Sequence, residues 1–136
     1  MEFKKFKAAT VQTSPVFLNV EKTIDKAIAF IKEAHENGAK LIAFPEVFIA
    51  GYPYWNWIMT PVQGSKWYEE LYKNSVAVND ASMQKLYKAA KDFDMNIVIG
   101  INERGDSFGE IYNTNLIIDN HGNLIGKHRK LVPTWA

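Results

Sequence analysis

LIAFPEVFIAGYPYWNW, residues Leu41–Trp57, opens as a short apolar run and ends in a crowd of rings. The run LIAF has the length and composition of a strand buried in a parallel sheet. Pro45 ends it, because proline has no N–H to give to a ladder. Glu46 follows at once, with Val47, Phe48 and Ile49 behind it. A carboxylate at the carboxyl end of a parallel strand stands where open α/β sheets keep their chemistry. Among such apolar neighbours its pKa is expected to rise by desolvation, which suits a general base near neutral pH. The plainer role for such a Glu is to cap a helix or to pair with a surface lysine. Gly51, Tyr52 and Pro53 turn the chain, and Tyr52, Tyr54, Trp55 and Trp57 crowd one corner.

Upstream, Phe6–Gln12 reads as a strand small and apolar enough to be central, broken by Ser14-Pro15. Asn19 is a fitting N-cap for a helix whose apolar face is Val20, Ile24, Ala27, Ile28, Ile31 and Ala34. Asn37-Gly38 suits the left-handed residue that closes such a helix. Strand, helix and LIAF together form a βαβ unit with its two strands parallel.

Downstream, Thr60-Pro61 and Gly64-Ser65 mark a loop, after which Trp67, Tyr68, Leu71 and Tyr72 predict a short helix with an aromatic face. Those rings are read as core or interface, not as a cofactor box. Ser75–Val78 is a short extended piece. Asp80 or Ser82 caps a second long helix with Met83, Leu86, Ala90 and Phe93 inward, and NIVIGI (Asn96–Ile101) is another buried strand. Asn102–Glu110 is read as a polar loop. Ile111–Asp119 alternates, with Tyr112, Thr114, Leu116 and Ile118 on one face, and the turn Asn120–Asn123 starts a return strand at Leu124. His121 is an exposed turn residue. The last residues, GKHRKLVPTWA, hold a basic cluster that ends in a Pro-Thr-Trp turn. If the return strand delivers Lys130 to the sheet edge where Glu46 sits, its ammonium lowers the Glu pKa and stabilises negative charge on a bound substrate. Spacing alone does not bring the two together.

The composition bounds the rest. The chain has 136 residues, 47% of them hydrophobic and 23% charged, with a formal net charge of +1. Those values describe one globular domain and give no electrostatic case for nucleic acid or an anionic membrane. No apolar run approaches the ~18 residues of a membrane-spanning helix, and the N-terminus lacks a signal-peptide core, so the expected compartment is the cytoplasm. Cysteine is absent, which excludes disulfides and thiolate metal sites. No metal site is expected.

Two motifs in order, FPEVFIAGYP and YNTNLIIDNHGNLIGKHRKLVPT, together with the opening KAATVQTSP, resemble the nitrilase or carbon–nitrogen hydrolase superfamily over essentially the whole chain. GYPYWNW and KWYEELYKNSVAV resemble its nitrilase branch more than its amidase or carbamoylase branches. The resemblance implies an α/β fold, the α-β-β-α sandwich of carbon–nitrogen hydrolases, with residues 1–136 as its N-terminal half. It implies a Glu–Lys–Cys triad that uses no cofactor, with Glu46 as general base and Lys130 as the cation stabilising the tetrahedral intermediate. It also implies a small nitrile or amide substrate and a homo-oligomer for the complete protein. Tyr52 and Tyr54 are expected to border the substrate cavity, because a tyrosine offers both an apolar wall and one hydrogen-bond handle.

In the family the nucleophilic cysteine lies a few dozen residues beyond the lysine motif, so this chain is expected to hold two members of a triad and no nucleophile. It is also expected to leave one sheet face uncovered, as a truncated, incomplete or split nitrilase would. The leading expectation is hydrolysis of a small organic nitrile to its acid and ammonia by the parent enzyme. An amidase or N-carbamoyl hydrolase comes second, and a non-catalytic association module third. A nucleotide-binding βαβ domain is disfavoured, because the first turn, TSPVFLN, has no glycine-rich phosphate loop.

Overall fold

A computed structural model of the chain describes residues 5–132, so the expected Pro-Thr-Trp turn lies outside the described residues. The elements run β1 (Lys7–Thr10), α1 (Val20–Glu36), β2 (Ala39–Ala43), a 3₁₀ turn (Tyr54–Trp57), α2 (Pro61–Lys73), α3 (Ala81–Asp92), β3 (Asn96–Arg104), β4 (Ile111–Ile118) and β5 (Leu124–Arg129). The strands form one sheet in the order β1-β2-β3-β4-β5. β1, β2 and β3 are parallel, and β3, β4 and β5 are antiparallel. This mixed α/β sheet is the fold class read from the sequence.

Helix α1 forms as its apolar spacing predicts. The Asn19 side chain accepts from Lys22 N–H, and Ile24, Ala27, Ile31 and Ala34 are buried. They meet Met83, Leu86 and Ala90 of α3 over Ile42, Ile97, Ile99, Ile101, Leu116 and Ile118, which makes the main core. By alternation the other sheet face carries the cross-strand row Thr10, Ala43, Val98, Ile117 and Gly126. Ile117 is 43% exposed there. Along that row Thr10 is exposed as well, while Ala43, Val98 and Gly126 are half-buried.

Three expectations are corrected. β1 is an edge strand rather than a central one, because it pairs with β2 alone, and its Ala8 is exposed. The presumed loop at Thr60–Ser65 is the first turn of α2. Thr60 and Gln63 form a reciprocal capping box, Pro61 takes a position that needs no N–H, and Gly64 lies against the Trp55 ring. The presumed polar loop after Ile101 begins as strand: β3 continues through Asn102 and Glu103, each 3% exposed. Polar residues are tolerated there because the Asn102 amide donates to two main-chain carbonyls and Glu103 accepts from Thr114, Lys127 and Arg129.

Candidate active site

The site is built on the turn after β2. Phe44 N–H still donates to Val98 O, and the parallel ladder resumes at Ile49, which bridges Ile101. Between them Pro45 and Glu46 leave the sheet. Val47 has φ +43° and Ala50 φ +75°. Positive φ at a β-branched residue is a genuine outlier, and such strain persists only where the surroundings over-determine it. Here they do. Gly51 N–H donates to Val47 O at 3.0 Å, and Leu18 N–H donates to Ala50 O at 3.0 Å. The Asn102 side chain donates to Ile49 O at 3.0 Å and to Gly51 O at 2.9 Å. Gly100 lets the turn lie flat on β3: a Cβ at that position would stand 2.4 Å from Val47 N and 2.5 Å from Pro45 O.

Lys130 reaches the same place from the end of β5. Its backbone N–H donates to Asn113 O at 2.8 Å, and its Nζ donates to Glu46 Oε1 at 2.8 Å. The Asn113 side chain also donates to Glu46 Oε1. The structure therefore brings Glu46 and Lys130 together. The expected rise in the Glu46 pKa is not met. The side chain is 48% exposed. The hydrogen bond from Lys130 and then that from Asn113 lower the pKa, and they outweigh the burial that would raise it. Glu46 is thus held ionised at neutral pH, at some loss of basicity.

On the opposite face of β5, Lys127 Nζ and the Arg129 guanidinium close on Glu103 at 2.7 and 2.9 Å, and Thr114 Oγ1 donates to it at 2.7 Å. Burial alone would push this carboxyl up, yet the hydrogen bonds from Arg129, Lys127 and Thr114 prevail and hold its pKa at about 2. The Arg129 guanidinium also sits 3.7 Å from the centre of the Tyr112 ring. Edge strand β5 is pinned through Lys127 and Arg129, three residues and one residue before Lys130.

A cavity of about 580 Å³ opens beside the pair, lined by Glu46, Tyr52 and Tyr54 together with Phe17, Phe48, Trp55 and Trp67. Tyr52 and Tyr54 stand with ring centres 5.1 Å apart, and Tyr54 is 67% exposed. Trp55 is buried between Phe17 and Trp67, at ring-centre distances of 6.2 and 6.3 Å. Such a lining can hold an apolar group with a few polar handles at its rim. Among the described residues no group of three or more His, Cys, Asp or Glu is placed to hold a metal ion. No helix there is long and apolar enough to cross a membrane.

Sequence reading missed Gly100, Asn102, Glu103 and Asn113. The signal for the last three is a polar residue inside a strand pattern, which reads equally as a loop or as a solvent face.

The sequence model of the family described as carbon–nitrogen hydrolase matches residues 7–134. An aliphatic nitrilase of Rhodococcus rhodochrous is 44% identical over 130 residues, which is 95% of this chain and 35% of that protein. A nitrilase of Bacillus sp. (strain OxB-1) is 45% identical over 134 residues, 98% of this chain and 39% of that protein. A cyanide hydratase of Microdochium sorghi is 39% identical over 98% of this chain and 36% of its own length. The chain thus spans well under half the length of these curated relatives. Among solved structures, the C145S mutant of Nesterenkonia AN1 amidase, from the nitrilase superfamily, superposes with a TM-score of 0.67 at 20% identity, over 95% of this chain and 44% of that one. That likeness is one of fold.

Proposed function

The chain belongs to the carbon–nitrogen hydrolase family, and from that premise we propose that it supplies the Glu–Lys part of a nitrilase-type active site. The observation that carries the reading is the 2.8 Å contact between Lys130 Nζ and Glu46 Oε1 beside an aromatic cavity. In this reading residues 1–136 are the N-terminal portion of one carbon–nitrogen hydrolase domain. The substrate is a small organic nitrile, whose carbon chain lies against the rings while Tyr52 and Tyr54 border it.

The chemistry follows from the two charges. An ionised Glu46 takes the proton of a thiol, which is only a few per cent ionised at pH 7 and gains nucleophilicity from a neighbouring base. The thiolate attacks the nitrile carbon, and the Lys130 ammonium stabilises the negative charge that develops. Water then adds, ammonia leaves, and a second water releases the carboxylic acid from the acyl-enzyme. The sequence contains no cysteine, so the thiol comes from outside these 136 residues.

Relatives named as nitrilases and a cyanide hydratase, at 39–45% identity, favour a nitrile over an amide. Exposed apolar side chains at Ile58 and Val62, 80% and 85% accessible, support homo-oligomeric assembly of the complete protein. The test is ammonia release from matched nitrile and amide pairs, by the chain alone and with a cysteine-bearing segment of a nitrilase relative. Turnover of the nitrile is expected only with the added segment, and it is lost in Glu46→Gln and Lys130→Met. Ammonia release by the chain alone, or undiminished turnover by Glu46→Gln, overturns the reading. Preferred turnover of the amide moves the assignment to the amidase branch.

A further inference from the structure

We propose that Asn113 is a positioning residue that sets Glu46 and Lys130 against one another and occupies Oε1 of Glu46, leaving Oε2 to accept the proton. The inference rests on the hydrolase reading above. Asn113 lies in β4, where its strand register is fixed opposite Asn102. Its two polar ends reach the two charged residues separately. The main-chain carbonyl accepts the Lys130 N–H at 2.8 Å, and the side-chain amide donates to Glu46 Oε1. A carboxylate only accepts, so the amide must present its NH₂ group.

The Lys130 ammonium donates to that same Oε1 at 2.8 Å. Both hydrogen bonds given to Glu46 by described side chains therefore end on one oxygen. Two donors fill the two lone pairs of Oε1, and the lone pairs of Oε2 are the ones left for proton transfer. During the reaction the Oε2–H bond forms as the S–H bond of the attacking thiol breaks, and that proton is then available to the departing nitrogen. Lys130 is the charged group set against Glu46, and Tyr52 and Tyr54 are the titratable side chains that share its cavity. The directional loss of basicity from the Asn113 donor agrees with this geometry.

The test is a carbon-13 NMR titration of glutamate carboxyls in the full chain, with Glu46 assigned by Glu46→Gln. Asn113→Leu removes the donor at similar volume, and Asn113→Asp removes it and adds a facing carboxylate. Both keep the main-chain carbonyl that holds Lys130. Glu46 is expected to titrate at higher pH in Asn113→Leu and higher still in Asn113→Asp, with the Glu103 titration and thermal unfolding unchanged. A midpoint unmoved in either variant overturns the assignment of Asn113. No substrate enters this measurement, so its failure is separate from that of the hydrolase reading, which the ammonia-release assays decide.

Discussion

The ammonium of Lys130 lies 2.8 Å from Oε1 of Glu46, across 84 residues of chain, and ties the end of β5 to the strained turn after β2. The pair is half-exposed, so its importance is electrostatic tuning more than stability.

Lys130→Met should therefore raise the pKa of Glu46, since the Lys130 hydrogen bond is the largest influence lowering it. A depressed carboxylate stabilises the fold above its unfolded pKa and loses that contribution as pH falls through the folded value. Because the groups are exposed, the loss at pH 7 should stay within about 1 kcal/mol. Carbon-13 titration and urea unfolding at two pH values measure both effects. An unmoved Glu46 titration would contradict the electrostatic account.

Glu103 should behave differently, because its side chain is only 4% exposed and its pKa is about 2. Its contribution is full above the ordinary carboxylate range and is lost as pH falls toward 2. Glu103→Gln should destabilise the chain by roughly 2–3 kcal/mol at pH 7, since two cations lose their shared partner. The difference from wild type should shrink in acid. Unfolding free energies from pH 7 down to 3 test this, and a constant difference would exclude the ion cluster as the cause.

Gly100→Ala should cost about 1–3 kcal/mol or more, because its Cβ meets backbone atoms of Pro45, Glu46 and Val47 that cannot swing aside. It should also shift the Glu46 carboxyl resonance. A neutral effect on both would mean that the turn yields freely.

Asn102→Ala removes the donor shared by Ile49 O and Gly51 O and should cost about 2 kcal/mol. The turn that carries Tyr52 should loosen with it. Faster amide hydrogen exchange at Gly51, while core helix α1 keeps its protection, is the expected local signature.

Trp55→Ala should cost about 3–5 kcal/mol, the usual range for a buried tryptophan. It also removes the wall between Phe17 and Trp67, so binding of an apolar probe to the cavity should weaken. Unchanged probe affinity would place the binding surface elsewhere.

Most of the frame was legible along the chain. Helix α1 shows its cap, its apolar spacing and its closing glycine within 20 residues, from Asn19 to Gly38. The short apolar strands and the alternation of β4 are equally local. Misreadings arose where a polar or turn-forming residue had two uses. Gly64 looked like loop but fits a helix because Trp55 needs the space, and Asn102 looked like loop but is a buried brace. The Glu46 pKa was misjudged for the same reason. Its sequence neighbours are apolar, yet its spatial neighbours are an ammonium and an amide.

The sequence by itself determined the alternation of strands and helices, the apolar faces, and the two motifs that hold Glu46 and Lys130. These properties depend on periodicity and on backbone preferences that act over a few residues. Only the tertiary structure decided that Glu46 and Lys130 touch, that Asn113 reaches both, and that Glu103 anchors β5 on the reverse face. Those contacts join strands whose order and register follow from packing the whole sheet on α1 and α3. A hydrogen bond, unlike an apolar face, requires two particular atoms within about 3 Å.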